Sequence, residues 1–410
     1  MDYLALTKLY YKDRAEYEAV YEQRYLGEET IHFNFEISGS AAFLVPTTEI
    51  MKSMISILKG NGLLMYLFAE LPEEAMTRFE QKCLIEEIKM TNEIEGVAST
   101  RKEIEEAIGA IQSNSGEKKR LTGIINKYLL LQSGQGEREL MTCQDIRDIY
   151  DELVFVEDVD DNPRHLPDGV YFRKDPVFVQ KNQKAIHIGM TPEAKIIEYL
   201  DKGLHLINDS NLISLLSTAV FHYLFGYVHP FYDGNGRMAR YLSSILLGKD
   251  VVFLVGYNLS NVIKDNLKSY YKAFDITNDK KNRGDLTPFV TTFFSLVDEA
   301  VARLIAELEN AKNRYHHFKT MMECDPFRKA SRAEKTLLDM MLINTLFGSR
   351  GMSVEEFAEK CNIADSSVRN SLRKMKREML RIEKDGRKLL YDLDLNFIEN
   401  ILADSLTQCI

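Results

Sequence analysis

The 410-residue sequence predicts a mainly helical fold with one internal β-hairpin, followed by a C-terminal module of three short helices and a second hairpin. Three observations carry this reading. Through most of the chain, apolar residues recur at intervals of three and four, the period of a helix with one buried stripe. Between residues 170 and 188 that period gives way to β-branched and aromatic clusters, Val170-Tyr171-Phe172-Arg173, Val177-Phe178-Val179 and Lys184-Ala185-Ile186-His187-Ile188, which read as strands. From about residue 325 the helices shorten, and alternating segments flank an Asp385-Gly386 turn. Helix–helix–helix–hairpin is the order of a winged helix-turn-helix domain.

Composition excludes several classes. With 45% hydrophobic and 28% charged residues the chain is globular and long enough for two or three domains. A net charge of −10 argues against a protein that coats nucleic acid or an anionic membrane with its whole surface, while permitting a local basic patch. Cys83, Cys143, Cys324, Cys361 and Cys409 are scattered, odd in number and form no Cys-x-x-Cys pair, so they read as reduced thiols and not as a zinc site. Met1–Glu29 has no apolar core of a signal peptide. The longest apolar run contains His222 and ends at His229-Pro230, a buried helix and not a membrane span. The expectation is a cytoplasmic protein without membrane attachment.

In chain order, Ile31–Ile37 alternates as a strand and Thr48–Lys59 as a helix. After Pro72, Met76, Phe79, Cys83, Met90 and Ile94 form one helical stripe that Leu84 and Ile88 widen, and Gly96 stops the helix. Thr100 with Glu103 forms a capping box for the next helix. Ser113–Lys119, Ser133–Glu137 and the acidic Val156–Gly169 read as loops. Thr191-Pro192-Glu193 places a cap and a first-turn proline. Helices follow at about 211–228, 236–248, 260–277 and 288–315, then at 334–346, 353–361 and 365–381.

The chemistry concentrates in His229-Pro230-Phe231-Tyr232-Asp233-Gly234-Asn235-Gly236-Arg237-Met238-Ala239-Arg240. A glycine-asparagine-glycine turn opening a helix is an anion site, because main-chain N–H groups and the positive dipole end converge there. Arg237, Arg240 and Ser244 share one helix face, and Leu242, Ile245 and Leu246 make the buried one. Two arginines one turn apart suit a polyphosphate. Asp233 supplies a carboxylate for Mg²⁺, which commonly uses one or two carboxylates plus substrate phosphates. His229 is the nearby group able to accept a proton near neutral pH. Taken singly, each feature also fits a capped helix with a structural histidine and surface arginines.

This stretch resembles the Fic-domain signature, His-Pro-Phe-x-Asp/Glu-Gly-Asn-Gly/Lys-Arg-x-x-Arg, without a departure. The resemblance extends over roughly residues 40–310, with the Phe172-Arg173 hairpin similar to the family's flap and Arg283-Gly284-Asp285-Leu286-Thr287-Pro288-Phe289 similar to its downstream segment. It implies a helical bundle with a flap hairpin and an enzyme that transfers AMP from ATP to a Ser, Thr or Tyr hydroxyl of a protein, a protein adenylyltransferase. By that resemblance His229 is the catalytic base and Asp233 the Mg²⁺ ligand. Gly234, Asn235 and Gly236 form the anion hole, Arg237 contacts the β- and γ-phosphates, and Arg240 holds the γ-phosphate. Phe231 is a core anchor. Gly234-Asn235-Gly236 differs from the Ala-Asn-Lys of the kinase-like Doc branch. Tyr271 and Asn278 line the adenine pocket, although Tyr271 also fits a core role. The target protein, or another part of the same chain, pairs along the flap edge, and a homodimer is common among such proteins.

Thr91-Asn92-Glu93-Ile94-Glu95-Gly96 resembles the family's inhibitory motif, Ser/Thr-x-x-x-Glu-Gly/Asn, placed N-terminal to the core as in its second class. The resemblance implies that Glu95 pairs with Arg240, removes the γ-phosphate's partner and repels that phosphate. On this reading residues 1–110 form an N-terminal region with the inhibitory helix at about 73–96. Residues 111–315 form the core, with the flap at about 170–190, and residues 325–410 form the winged-helix domain. In that last domain Asp365-Ser366-Ser367 caps a helix whose Val368, Leu372, Met375 and Met379 are buried, while Arg369, Arg373, Lys374, Lys376 and Arg377, with Arg381, Lys384, Arg387 and Lys388 of the wing, make a basic patch suited to DNA. A protein-docking face fits the same residues.

Two rivals stand beside the transferase: a winged-helix transcriptional regulator whose Fic domain senses a nucleotide, and a Fic enzyme that uses another donor or removes AMP. His222 reads as a hydrogen-bonded core residue, His187 as a surface residue of the flap, and the adjacent His316-His317 as poor joint metal ligands. No Walker lysine motif or Gly-x-Gly-x-x-Gly fingerprint is present.

Overall fold

The structure is a computed structural model that describes residues 3–113, 121–132, 139–155, 166–181, 184–322 and 327–400. Most of the three loops expected at 113–119, 133–137 and 156–169 lie outside the described residues, as do Cys324 and Cys409. Cys83, Cys143 and Cys361 take part in no disulfide. The chain divides into two compact units, Met1–Leu64 with Ile85–Leu304, and Met65–Leu84 with Ile305–Ile410. Helices dominate, and among the described residues the sheets are three separate two-stranded antiparallel hairpins. No described helix is long and apolar enough to cross a membrane.

The first unit is organised around the helix Ser214–Val228, in which every residue from Leu215 to Phe225 is buried. A helix apolar on all faces needs cover all round, and Glu193–Ile207 and Asn235–Leu247 pack along it. The second of these corrects the two-faced expectation. Arg237, Arg240 and Ser244 are as inaccessible as Leu242, Ile245 and Leu246, because the turn Phe253–Asn258 packs against the same helix. His222, within the central helix, bonds Ser243 Oγ and Tyr270 Oη, both at 2.7 Å. It is the core residue expected.

The expected strand Ile31–Ile37 has a partner that the sequence hides. Ser38 and Gly39, with φ of 52° and 84°, form a two-residue turn and pair the strand with Ser40–Leu44, since left-handed residues at both turn positions match strand twist. Ala42, Phe43 and Leu44 are all buried, so no alternation marks that partner. Phe43 exchanges main-chain bonds with Gly284 (3.0 Å) and Leu286 (2.8 Å).

Several boundaries differ from expectation. The helix predicted to end at Lys59 runs from Thr48 to Ala69; Ile50, Met54, Ile57, Leu64 and Leu67 carry the buried stripe past Gly60 and Gly62, outweighing about 1 kcal/mol per glycine. The helix expected at 260–277 is two, Leu259–Asp265 and Leu267–Asn278, broken at Asn266, whose side chain bonds the Val262 carbonyl and Glu299. Pro192 is the N-cap of Glu193–Ile207 and not its first helical residue. Val170–Arg173 is not a strand. The N–H groups of Val170, Tyr171 and Phe172 donate to the Glu193 carboxylate at 3.0, 2.8 and 2.9 Å, and the hairpin pairs Phe178–Lys181 with Lys184–Ile188.

In the second unit the helices Arg332–Phe347, Val354–Cys361 and Asp365–Lys374 precede the hairpin Leu380–Asp385/Lys388–Leu393, which turns at Gly386 with φ 58°. Ser331 with Glu334 and Ser353 with Glu356 form capping boxes. The third helix ends at Lys374, seven residues short of expectation, so Met375 and Met379 lie beyond it, and Ala364, not Asp365, is its N-cap. Part of the basic face is already paired: Arg369 with Glu355 (3.0 Å), Lys374 with Glu334 (2.8 Å) and Arg381 with Asp394 (3.4 Å).

Candidate active site

The central helix ends at His229, a left-handed residue with φ 53° whose N–H bonds the Phe225 carbonyl. A non-glycine residue there costs about 1–2 kcal/mol, and the loop that follows is held tightly enough to keep it. Phe231 is fully buried, stacked on Tyr150 with ring centroids 3.7 Å apart and edge-on to Phe172. It is the anchor expected. Asn235 clamps the loop from the other side: its Oδ1 accepts from the Phe231 N–H at 2.9 Å and its Nδ2 donates to the Phe231 carbonyl at 2.8 Å. The Asn235 side chain is thus structural, and only its main chain remains to meet an anion.

The helix Asn235–Leu247 starts after Gly234, a left-handed N-cap with no side chain to cap the free end. A Cβ on Gly234 would lie 2.6 Å from Val154. The Gly234 N–H is turned onto Asp233 Oδ1 at 2.7 Å, so that donor is engaged by the carboxylate beside it. Gly236 lies open to one visitor. A Cβ there would sit 1.9 Å from Glu95 Oε1, which means the Glu95 carboxylate rests against the first turn of this helix.

Arg240 is 1% exposed and carries three bonds from one helix, Glu73–Ile94, and its end. Its Nε donates to Thr91 Oγ1 (2.8 Å), and Nη2 donates to the Thr91 carbonyl (3.0 Å) and to Glu95 Oε1 (2.8 Å). Burial opposes the Arg240 charge, but Glu95 together with Tyr270 and Glu87 outweighs it and raises the pKa. Thr91, the first residue of the Thr-x-x-x-Glu-Gly pattern, therefore contacts the arginine as directly as Glu95 does, a role the spacing alone does not reveal. Gly96, with φ 76°, ends the helix as expected. The helix also buries Glu87, which accepts from the Ser260 N–H at 2.9 Å and the Tyr128 hydroxyl at 3.2 Å. Burial lifts its pKa to about 7 against those bonds. The predicted apolar stripe thus shares its buried face with Glu87 and Thr91.

A cavity of about 130 Å³ brings His229, Asn235, Gly236, Arg240, Tyr271 and Asn278 together with Glu95. Asp233, Gly234 and Arg237 do not line it, although Arg237 is buried in the same helix turn. His187, Gly226, Ala239, Tyr270, Phe274 and Asp275 complete the wall, and sequence reasoning missed them as site residues. His187 is half-buried, not a surface residue: its Nε2 donates to the Tyr227 carbonyl at 2.6 Å, and burial lowers its pKa. Tyr270 is the buried partner of His222, while Tyr271 is half-buried against the cavity. Asn278 Oδ1 is engaged by the Tyr223 hydroxyl at 2.6 Å.

Burial and the neighbouring His187 push the His229 pKa down to about 4, so its imidazole is neutral at pH 7. A ring N–H faces the Gly226 carbonyl, which leaves the other ring nitrogen able to accept a proton. The cavity therefore holds a neutral base, a helix N-terminus and a buried guanidinium occupied by an internal carboxylate. Among the described residues no cluster of three or more His, Cys, Asp or Glu exists to hold a metal by itself. The half-buried Asp233 carboxylate is a hard oxygen donor, and it fits a Mg²⁺ ion whose other ligands come from phosphates and water.

The Fic/DOC family model matches residues 140–247. The protein adenylyltransferase Fic of Drosophila ananassae is 24% identical over 221 residues, 53% of this chain and 40% of the fly protein. The Drosophila melanogaster protein of the same name is 30% identical over 123 residues, 30% of this chain and 23% of its own length. The chain thus spans less than half the length of these curated relatives. A Fic family protein from Desulfovibrio desulfuricans G20 shares the fold with a TM-score of 0.51 at 18% identity, covering 85% of this chain and 96% of that one. Residues 140–247, which include the His229–Arg240 signature turn, match the Fic/DOC family, so this part of the chain is a Fic domain.

Proposed function

We propose that this chain is a protein adenylyltransferase held off by its own Glu95. One observation carries the reading: Glu95 Oε1 lies 2.8 Å from Arg240 Nη2, inside the cavity that His229 lines. A guanidinium next to a helix N-terminus suits a terminal phosphate, and here an internal anion already occupies that place. ATP is the donor that the names of the fly relatives support. With Glu95 withdrawn, Arg240 binds the γ-phosphate, and the Asn235 and Gly236 main chain with Arg237 holds the phosphate chain. Asp233 would hold Mg²⁺, and that ion would supply neutralisation of phosphate charge.

In the reaction the target hydroxyl oxygen attacks the α-phosphorus while the bond to the pyrophosphate oxygen breaks. The hydroxyl proton passes to the unengaged ring nitrogen of His229, and AMP stays on the protein. The hairpin Phe178–Lys181/Lys184–Ile188 offers an edge for the target segment; its paired Phe178 and Ile188 are 51% and 57% exposed.

Intact-mass spectrometry of Glu95→Gly incubated with ATP and Mg²⁺ tests this. The expected result is one added AMP, absent from Glu95→Gly/His229→Ala. ATP binding without any adduct on the chain or on lysate proteins would favour a nucleotide-sensing regulator, and an adduct from another donor would change the substrate but keep the chemistry.

A further inference from the structure

The buried guanidinium of Arg173 does not line the cavity, and among the described residues no carboxylate is hydrogen-bonded to it. The side chain is fully buried, and it spends its donors on four main-chain carbonyls: Nε on His229 (2.9 Å), Nη1 on Asp175 (2.6 Å), and Nη2 on Met190 (2.9 Å) and Val228 (3.4 Å). Val228 and His229 are the end of the central helix, where a cation meets the negative end of the helix dipole. Asp175 and Met190 are the two roots of the hairpin, three residues before its first strand and two after its second. The Arg173 N–H also bonds the Pro230 carbonyl at 3.2 Å. Gly189 makes room, for a Cβ there would lie 2.4 Å from Arg173 Nη2 and 3.2 Å from His229 Cβ.

A buried cation without an acidic partner is costly, so the arrangement is a specific one. We propose that Arg173 is a positioning residue: by binding the His229 carbonyl and both hairpin roots at once, it sets the base and the target-docking hairpin in one fixed register. A target strand laid along the hairpin then presents its hydroxyl to the imidazole without further adjustment. This rests on the reading of His229 as the base. Phe231 and Asn235 hold the loop after the left-handed His229, and Arg173 adds a grip on that residue's own carbonyl and on the one before it.

The test uses the full chain with Glu95→Gly as parent. Arg173→Gln is expected to leave ATP affinity within about threefold of the parent, lower label transfer at saturating ATP at least tenfold, and shift or split the His229 ring signal in ¹³C-histidine NMR while leaving the His222 signal in place. Arg173→Lys, which keeps the charge but not the fork, recovers part of the rate. Gly189→Ala reproduces the pattern by crowding Nη2, and serves if Arg173→Gln does not fold. An unchanged rate and an unmoved His229 signal would overturn the proposal. So would ATP affinity and rate falling together with both histidine signals, the mark of a general packing defect. If the parent itself labels nothing, the transferase reading falls, and the His229 signal still decides whether Arg173 positions that residue.

Discussion

Arg240 shows how one buried charge can serve two partners. Its guanidinium is held by Thr91 and Glu95, and removing Glu95 leaves a buried cation with Thr91 alone. Breaking such a pair is destabilising, less so here because Glu95 is 24% exposed. Glu95→Gly is therefore expected to cost about 2 kcal/mol without nucleotide and to lower Tm, with ATP and Mg²⁺ restoring more Tm to the variant than to the wild type. Thermal unfolding with and without ATP checks this; equal shifts would contradict it. His229 makes a second prediction at the same scale. Because burial holds its pKa near 4, transfer by Glu95→Gly is expected to stay level through pH 6.5 and to decline only as pH approaches 4–5, where an ordinary histidine base would already be lost. A rate that halves near pH 6.5 would show that the imidazole is not buried as described.

At the scale of elements, the Glu73–Ile94 helix carries a buried carboxylate, Glu87, whose effect has the opposite sign. Glu87 has a folded-state pKa near 7, above its ordinary 4.5. The stability it contributes is full below about 4.5 and is lost as pH rises through 7, on the order of 3 kcal/mol. His222 and His229, depressed to about 3 and 4, contribute stability that is full above 6.5 and lost as pH falls. Glu87→Gln is expected to remove the Glu87 slope alone, so its stability relative to wild type should improve from pH 5 to about pH 7 and level off above it in denaturant titrations. A difference independent of pH would contradict the burial argument. The Glu73–Ile94 helix also shows what the sequence conveys and what it conceals. Its apolar stripe and its Gly96 stop are local patterns, readable from spacing. That Thr91 and Glu87 share the buried face is not readable, because their partners, Arg240 and Ser260, stand about 150 and 170 residues away. Val170–Arg173 looks like a strand for the same reason: its N–H groups are taken by Glu193, a side chain that no local pattern links to them.

Across the whole molecule the charge is uneven. The chain carries −10 overall, yet residues 365–388 hold nine Lys and Arg against four Asp and Glu. The sequence presents that segment as a basic helix at 365–381 followed by a basic wing around Asp385-Gly386. The structure shortens the helix, pairs Arg369, Lys374 and Arg381 with carboxylates, and leaves Arg373, Lys376, Arg387 and Lys388 exposed. If the module binds DNA, a labelled random duplex should bind weakly at low salt with a log–log salt slope of about −2 to −4, and Arg373→Glu/Arg387→Glu should abolish binding. No binding at low salt would instead favour a protein-docking module. The His229–Arg240 turn was legible because its chemistry is contiguous. Arg173, His187 and Tyr270 were not, because main-chain carbonyls and a remote histidine give them their roles.

The central claim is that Glu95 and the γ-phosphate compete for Arg240. It is tested most directly by the rate of label transfer from α-³²P-ATP to protein, wild type against Glu95→Gly at matched concentration. The account predicts at least a tenfold faster rate for Glu95→Gly, lost again in Glu95→Gly/Arg240→Ala. Equal rates for wild type and Glu95→Gly would contradict it.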